Sequence, residues 1–170
     1  MKTLKKTLAF LLVVMLFLSI SIPAFAVNTQ YSTTKEFLKV LKSEEVNYRY
    51  RGVGDDEKEE VTVSYIGDNW DDIFINIFFE EDLDSVSLRC WNIVDFDKKD
   101  ADKALELCNR FNNEFKYVKF VMDENDWSIG AEMDVPIREG AESAECVYDA
   151  LYYIATIADE AYPDLSEIAK

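Results

Sequence analysis

Residues 101–135, ADKALELCNRFNNEFKYVKFVMDENDWSIGAEMDV, carry the clearest signals for the fold of this chain. The first half places apolar side chains three and four residues apart, which is the spacing of one helix face. These side chains are Ala101, Ala104, Leu105, Cys108, Phe111 and Phe115. The second half alternates apolar and polar residues on both sides of the turn at 123–126, as half-buried strands do. The stretch therefore predicts a helix, packed by its apolar stripe on a sheet, followed by a β-hairpin.

The chain before residue 97 predicts one helix and four strands. Residues 33–36, TTKE, have the spacing of a capping box, so the first helix is expected to begin there and to end by Glu45. Alternating patterns then predict strands that begin at Val46, Val61, Trp70 and Val86. A turn at residues 52–57 joins the first two strands. The predicted order up to this point is a helix followed by an antiparallel meander.

A last helix is predicted from about Glu142 to Tyr162, where Pro163 should end it because proline cannot continue the hydrogen-bond ladder. The complete order is then α-β-β-β-β-α-β-β-α. We expect an α+β fold in which an antiparallel sheet carries its helices on one face. No repeat, low-complexity segment or linker interrupts the pattern, so residues 27–170 should form a single domain.

The N-terminus has the three parts of a secretory signal peptide. Three lysines precede an apolar run of 11 residues, Leu8–Leu18, and small residues at 24–26 follow it. The run is shorter than the roughly 20 residues that span a bilayer, although an uncleaved anchor is the alternative. We predict cleavage after Ala26. The mature protein, residues 27–170, should then be secreted or extracytoplasmic, without stable membrane insertion.

Charge and composition exclude several functions. The 170 residues include 18 Lys and Arg against 34 Asp and Glu, which gives a net charge of −16. Nucleic-acid binding is not expected, because its affinity comes from basic side chains that neutralise phosphates. The chain has no histidine, so catalytic Ser-His-Asp and Cys-His sites and histidine zinc sites are excluded. A hydrophobic fraction of 49% is nevertheless enough to build a core.

The three cysteines, Cys90, Cys108 and Cys146, allow at most one disulfide within the chain. One interpretation is that all three are buried small apolar residues. The other is that two of them form a bridge. A catalytic thiol is not expected, because the chain has neither a histidine nor a CxxC motif to activate one.

Acidic turns raise two further possibilities. A calcium loop that starts at Asp123 would put Ser128 at the sixth position and Asp134 at the twelfth, where the motif needs Gly and Glu. The acidic runs at 55–60 and 80–82 lie in predicted turns, where carboxylates keep ordinary pKa values. We therefore expect no catalytic residue, no metal and no cofactor. A secreted hydrolase with a carboxylate pair, or an acidic calcium- or cell-wall-associated protein, remains the alternative.

Residues 107–120, LCNRFNNEFKYVKF, are followed by an acidic turn, the strand IGAEMDV at 129–135 and a helix that ends in YPDL at 162–165. This succession resembles the YbjN family, whose members are described as bacterial sensory transduction regulators. The resemblance implies a fold like that of type III secretion chaperones and a function in protein binding or regulation, without an active-site residue. This chain differs from cytosolic members of the family because it carries an export signal. Asn109 and Asn112 are the most distinctive positions, and we expect both to bond backbone at the helix-to-strand corner.

The sheet face that points away from the helices has an unusual composition. It carries three aromatic residues beside arginines, which is the composition of interface hot spots. The predicted interface consists of Phe74, Phe78, Trp91, Arg49 and Arg89. The alternative is that the last helix or an edge loop covers these aromatics within the monomer. We predict a secreted, non-catalytic, chaperone-like module that binds a protein partner or itself, with a homodimer as the simplest form.

Overall fold

The protein is described by a computed structural model that covers residue 29 and residues 31–80, 84–138 and 141–170. The predicted signal peptide and its cleavage site lie outside the described residues. Most of the acidic run at 80–82 lies outside them too. No helix in the described ranges is both long enough and apolar enough to cross a membrane.

The described helices and strands follow the predicted order. They are α1 (Ser32–Ser43), β1 (Tyr48–Val53), β2 (Glu59–Tyr65), β3 (Ile73–Phe79), β4 (Ser85–Asp95), α2 (Ala101–Glu114), β5 (Lys119–Asp123), β6 (Ser128–Pro136) and α3 (Ala141–Ser166). A short 3-10 turn, Lys98–Asp100, leads into α2. This order confirms the predicted α-β-β-β-β-α-β-β-α arrangement and the α+β class.

The six strands form one antiparallel sheet in the order β1-β2-β3-β4-β6-β5. The long helix α3 packs against β3, β4 and β6, α1 packs against α3, and α2 packs against β5. The helices therefore lie on one face of the sheet, as predicted. The opposite face has no helix on it among the described residues, and we call it the open face.

The core lies between the sheet and the helices. Alternate residues of the central strands point into it, including Val61, Ile75, Ile77 and Leu88, which are all fully buried. Leu151, Ile154 and Leu165 of α3 close it from the other side. Each such side chain stabilises the fold by roughly 1.5–3 kcal/mol through the removal of apolar surface from water.

The start of α1 differs from the prediction, because no side chain caps this helix. The hydroxyls of Thr33 and Thr34 are buried and have no hydrogen-bond partner within the described chain. Tertiary contacts position the helix start instead. The Tyr31 hydroxyl donates to the backbone oxygen of Glu57 at 2.5 Å, and its backbone N–H donates to the buried Glu59 carboxylate at 3.3 Å.

Strand β1 begins at Tyr48 rather than at Val46, and β2 begins at Glu59 rather than at Val61. The fully buried Glu59 and its neighbour Glu60 therefore lie in a strand and not in the turn predicted for the acidic run at 55–60.

Two further boundaries were also predicted wrongly. The expected turn at residues 52–57 begins later, because β1 continues to Val53 through an irregularity at Gly52. Gly52 has a φ of 80°, which glycine adopts without strain. At the other boundary, β3 begins at Ile73 rather than at Trp70. Trp70 lies in the preceding loop and stacks on Tyr162, with ring centroids 5.2 Å apart.

Strand β4 is longer than predicted and contains a bulge. Its register against β6 shifts between Cys90 and Val94, and Asn92 has a φ of 51°. The extra residue breaks the alternation of side chains, so that Ile93 and Val94 are both buried. The bulge directly follows Trp91, and it ends the regular part of the open face there.

The predicted helix stripe contains one wrong residue. Leu105 is 49% exposed, whereas Leu107, which the stripe omitted, is buried. The rest of the stripe faces the core as expected, with Cys108 and Phe111 buried and Phe115 partly buried. The physical reason is that α2 contacts both β5 and α3, so its buried face is turned towards Leu107.

The last helix does not end at Pro163 but continues to Ser166. Proline removes one hydrogen bond from the helix, yet the turn that follows it is held by burial. Leu165 is fully buried, and Ile168 just beyond the helix is 6% exposed. Tertiary packing therefore outweighs the local preference of proline.

Candidate functional site

All five residues of the predicted interface lie in strands of the sheet, and their side chains point to the open face. Phe74 and Trp91 are 51% and 52% exposed, so neither α3 nor any described loop covers them. Phe78 is partly buried, and its ring centroid lies 5.5 Å from that of Trp91. The open face therefore presents an aromatic cluster of Phe74, Phe78 and Trp91 to solvent. Its role as an interface stays a prediction.

Arg89 lies at the centre of the open face and is bound within the chain. Its guanidinium donates to the Asp134 carboxylate at 2.8 Å and lies 3.8 Å from that of Glu132. Burial alone would raise the pKa of Asp134, but hydrogen bonds from Arg89 and Ser87 and the charge of Arg89 lower it overall. Arg89 thus orders the middle of the face.

A basic pocket of about 350 Å³ lies at the β1 end of the open face. It is lined by Asn47, Tyr48, Arg49, Arg51, Thr62, Ser64 and Phe74. Arg51 pairs with Glu60 at 3.1 Å, whereas Arg49 is exposed and has no ion pair among the described residues. Arginine beside hydroxyl groups and an aromatic ring is suited to bind a carboxylate.

An acidic pocket of about 340 Å³ lies near the opposite end of the same face. It is lined by Trp91, Asn92, Val121, Met122, Asp123, Glu124, Asp126, Ser128, Gly130 and Glu132. Its four carboxylates surround an exposed indole, an arrangement that attracts a guanidinium or ammonium group. No described group of three or more acidic or thiol side chains is arranged to hold a metal ion.

A third pocket, of about 290 Å³, is lined by one buried and one exposed acid, Asp159 and Asp68. Backbone N–H groups of residues 68–70 donate to the Asp159 carboxylate at 3.1, 3.0 and 2.8 Å, and the Asn69 side chain adds a bond at 3.2 Å. Burial would raise the pKa of Asp159, but these bonds lower it overall. An acid held as an anion is a poor proton donor, so this pair does not favour the hydrolase alternative.

The sequence pattern missed Asp159 as an important residue. It holds the β2–β3 loop against α3, and nothing in the spacing of the chain marks it apart from the other acids. The one available signal is its place directly after Ala158, next to the buried stripe of α3. A buried acid beside such a stripe requires several hydrogen-bond donors.

The three thiols are free, and they occupy two kinds of environment. Cys90 and Cys108 are buried, and burial raises their pKa values to about 12 and about 11. Thiolates are therefore scarce at these two positions at neutral pH. Cys146 is exposed on α3, so the interpretation that all three are buried was wrong for this residue.

Asn112 bonds the backbone at the helix-to-strand corner, as predicted. Its side-chain oxygen accepts from the backbone N–H of Phe120 at 2.7 Å, and its side-chain nitrogen donates to the Phe120 carbonyl at 3.0 Å. The Asn109 side chain makes no such bond among the described residues, so the prediction holds for one of the two asparagines. Asn112 thereby occupies a peptide group on the outer edge of β5, where another strand would otherwise pair.

The chain matches one known protein family over most of its length. A family model matches residues 35–167, and its description is "YbjN: Putative bacterial sensory transduction regulator". The chain belongs to the YbjN family. The match runs from α1 to the end of α3, so it includes the whole sheet, and it confirms the resemblance drawn from residues 107–165. A search of curated proteins gives no match.

The family assignment agrees with a regulatory module, since the YbjN description names regulation. The described pockets of this YbjN chain are lined by residues suited to recognition, with an aromatic cluster between a basic and an acidic concavity. These features make the open face the candidate binding surface.

Proposed function

We propose that the mature protein is a secreted, non-catalytic, chaperone-like binding module of the YbjN family in which two copies associate through their open faces. The observation that carries this proposal is the exposure of Phe74 and Trp91, beside Phe78, on a sheet face without helices. Burying one such aromatic ring stabilises a contact by roughly 1.5–3 kcal/mol. Three of them at one place form a patch of the kind that monomers seldom expose without a partner.

A second copy is the partner that the charges favour. The chain carries a net charge of −16, so two copies repel each other in most orientations. The open face carries charges of both signs, because Arg49, Arg51 and Arg89, three of the five arginines of the chain, lie on it together with the carboxylates of the acidic pocket. Edge-to-edge pairing through β5 is hindered because Asn112 occupies the Phe120 peptide group. Association face to face remains favourable.

The test is the double variant Phe78→Ser, Trp91→Ser, examined by circular dichroism and analytical ultracentrifugation. We expect an unchanged fold and a loss of association, because both rings lie outside the core between sheet and helices. The matched control is Tyr152→Ser, Tyr153→Ser, which removes two exposed aromatics from α3. This control should associate like the wild type.

Two results would contradict the proposal. A wild-type protein that stays monomeric at all accessible concentrations has no such interface. A double variant that unfolds while the tyrosine control stays folded would assign Phe78 and Trp91 to the monomer core.

Export is tested separately by the mass of the protein that the native bacterium releases. Cleavage after Ala26 predicts a secreted chain that begins at Val27, and it removes three lysines with the signal peptide. Intact-mass spectrometry of the culture medium and of the membrane fraction measures this. A full-length chain confined to the membrane fraction would show an uncleaved anchor instead.

A further inference from the structure

We propose that the basic and acidic pockets of the open face form one contact, in which the basic pocket of each copy lies against the acidic pocket of the other. The inference rests on the proposed association through the open face and adds its orientation. Arg49 of one copy would then pair with Glu132 of the second copy. The contact occurs twice in the dimer, once on each side of a two-fold axis.

The strand register fixes where the charged residues stand on the face. One row of cross-strand partners runs across the whole sheet, and it consists of Arg49, Thr62, Asn76, Arg89, Glu132 and Lys119. Asn76 and Arg89 occupy its middle, on β3 and β4. Arg49 therefore stands at one end of the row, and Glu132 stands near the other.

A two-fold axis parallel to the strands and over β3 brings Arg49 of one copy opposite Glu132 of the other, because β1 and β6 each lie two strands from β3. It places β1 of one copy over β6 of the other and β2 over β4, and it keeps the strands of the two sheets aligned, as in a β-sandwich. Phe74 lies two residues before Asn76, and Trp91 lies two residues after Arg89. Because β3 and β4 are antiparallel, both rings stand on the same side of the row. The axis passes over β3, so it sets Phe74 of one copy against Phe74 of the other, with Trp91 of each copy beside this pair.

The charges agree with this orientation. Arg49 has no ion pair among the described residues, and Glu132 is only weakly held, since Arg89 makes its shorter contact to Asp134. Lys119 ends the same row on the edge strand β5, which this axis leaves beyond β1 of the other copy, so Lys119 does not stand opposite Arg49. Pairing β1 against β1 would instead place arginines opposite arginines, which is unfavourable. The opposed-pocket orientation avoids that repulsion.

The experiment uses charge reversal and mixing of the mature chain. Arg49→Glu sets like charges at both copies of the contact, and so does Glu132→Lys. Each variant alone should self-associate at least about tenfold more weakly than the wild type. A mixture of the two variants restores opposite charges at both contacts, so its association should return to within about threefold of the wild-type value. Sedimentation velocity and the titration of one labelled variant with the other measure this.

The controls separate this effect from net charge and from folding. Lys35→Glu and Glu145→Lys make the same changes of charge at exposed positions of α1 and α3, and their mixture should show no recovery beyond that of either control. Circular dichroism checks that each variant folds. If Glu132→Lys does not fold, Glu132→Gln replaces it and should weaken self-association by a smaller factor.

The outcomes distinguish the inference from the function on which it rests. Recovery in the mixture supports the opposed-pocket contact. If both charge variants associate like the wild type while the Phe78, Trp91 double variant does not, the orientation is wrong and the open-face interface stands. If the wild type does not associate at all, both proposals are wrong.

Discussion

Replacing Phe111 by Ala should lower the free energy of unfolding by about 3–5 kcal/mol, the usual loss for a buried phenylalanine. Phe111 is 3% exposed, and its ring packs against those of Phe115 and Phe120, with centroid distances of 5.9 and 5.0 Å. Its removal would leave a cavity where α2 meets β5, and rigid neighbours fill such a cavity only in part. Urea unfolding followed by circular dichroism measures the change.

Leu105→Ala is the matched control on the same helix. Leu105 is 49% exposed, and Ala and Leu have similar helix propensities, so this variant should lose less than about 1 kcal/mol. Equal losses in the two variants would mean that the buried face of α2 is assigned wrongly. A loss below about 1 kcal/mol for Phe111→Ala would have the same meaning.

Periodicity predicted that Leu105 is buried, whereas the structure buries Leu107. This difference shows how far periodicity determines which residues of a helix are buried. Successive residues of a helix are about 100° apart, so Ala104, Cys108, Phe111 and Phe115 share one narrow stripe. Leu105 and Leu107 lie on opposite flanks of that stripe, roughly 90° and 70° from its centre. Periodicity alone barely separates these two angles. The choice is made by α3, which α2 also contacts and which the local pattern does not reveal.

The candidate site was predictable in its aromatics but not in its pockets. The alternation of β3 and β4 is regular up to Trp91, so the side of the sheet on which Phe74, Phe78 and Trp91 lie follows from the sequence. The acidic pocket depends on the irregular backbone at Asn92, which lines it, and on the strand order, which places β6 beside β4. Neither a bulge nor the position of a distant strand produces a periodic pattern in the sequence.

Replacing Asp159 by Asn should lower the free energy of unfolding by about 3 kcal/mol at neutral pH. The carboxylate accepts three backbone hydrogen bonds and one from the Asn69 side chain. A hydrogen bond to a charged group contributes about 1.5–3 kcal/mol, and the contributions of bonds to one carboxylate are not additive. An amide offers one oxygen and turns its NH₂ group towards donors. The loop has little room to adjust, since a Cβ added at Gly67 would stand 2.1 Å from the Asp159 Oδ1 atom.

The loss should depend on pH in a defined direction. The fold lowers the pKa of Asp159, so the folded state favours the anion and this contribution to stability is fully present above the unfolded pKa of about 3.9. It is lost as the pH falls through the folded pKa, because the protonated carboxyl group no longer accepts all four bonds. Asn does not titrate. The difference in stability between the wild type and Asp159→Asn should therefore be constant from about pH 5 to pH 7 and shrink below about pH 4.

Urea melts of both proteins at several pH values test this, with Glu160→Gln as the control on the next residue of α3. Glu160 is exposed, so its variant should stay close to the wild type at every pH. A constant difference down to pH 3 would show that the Asn variant acts through packing and not through the charge of Asp159. A loss of less than about 1 kcal/mol at neutral pH would mean that water replaces the carboxylate as the acceptor for the loop. The β2–β3 loop would then rest on α3 mainly through the stacking of Trp70 on Tyr162.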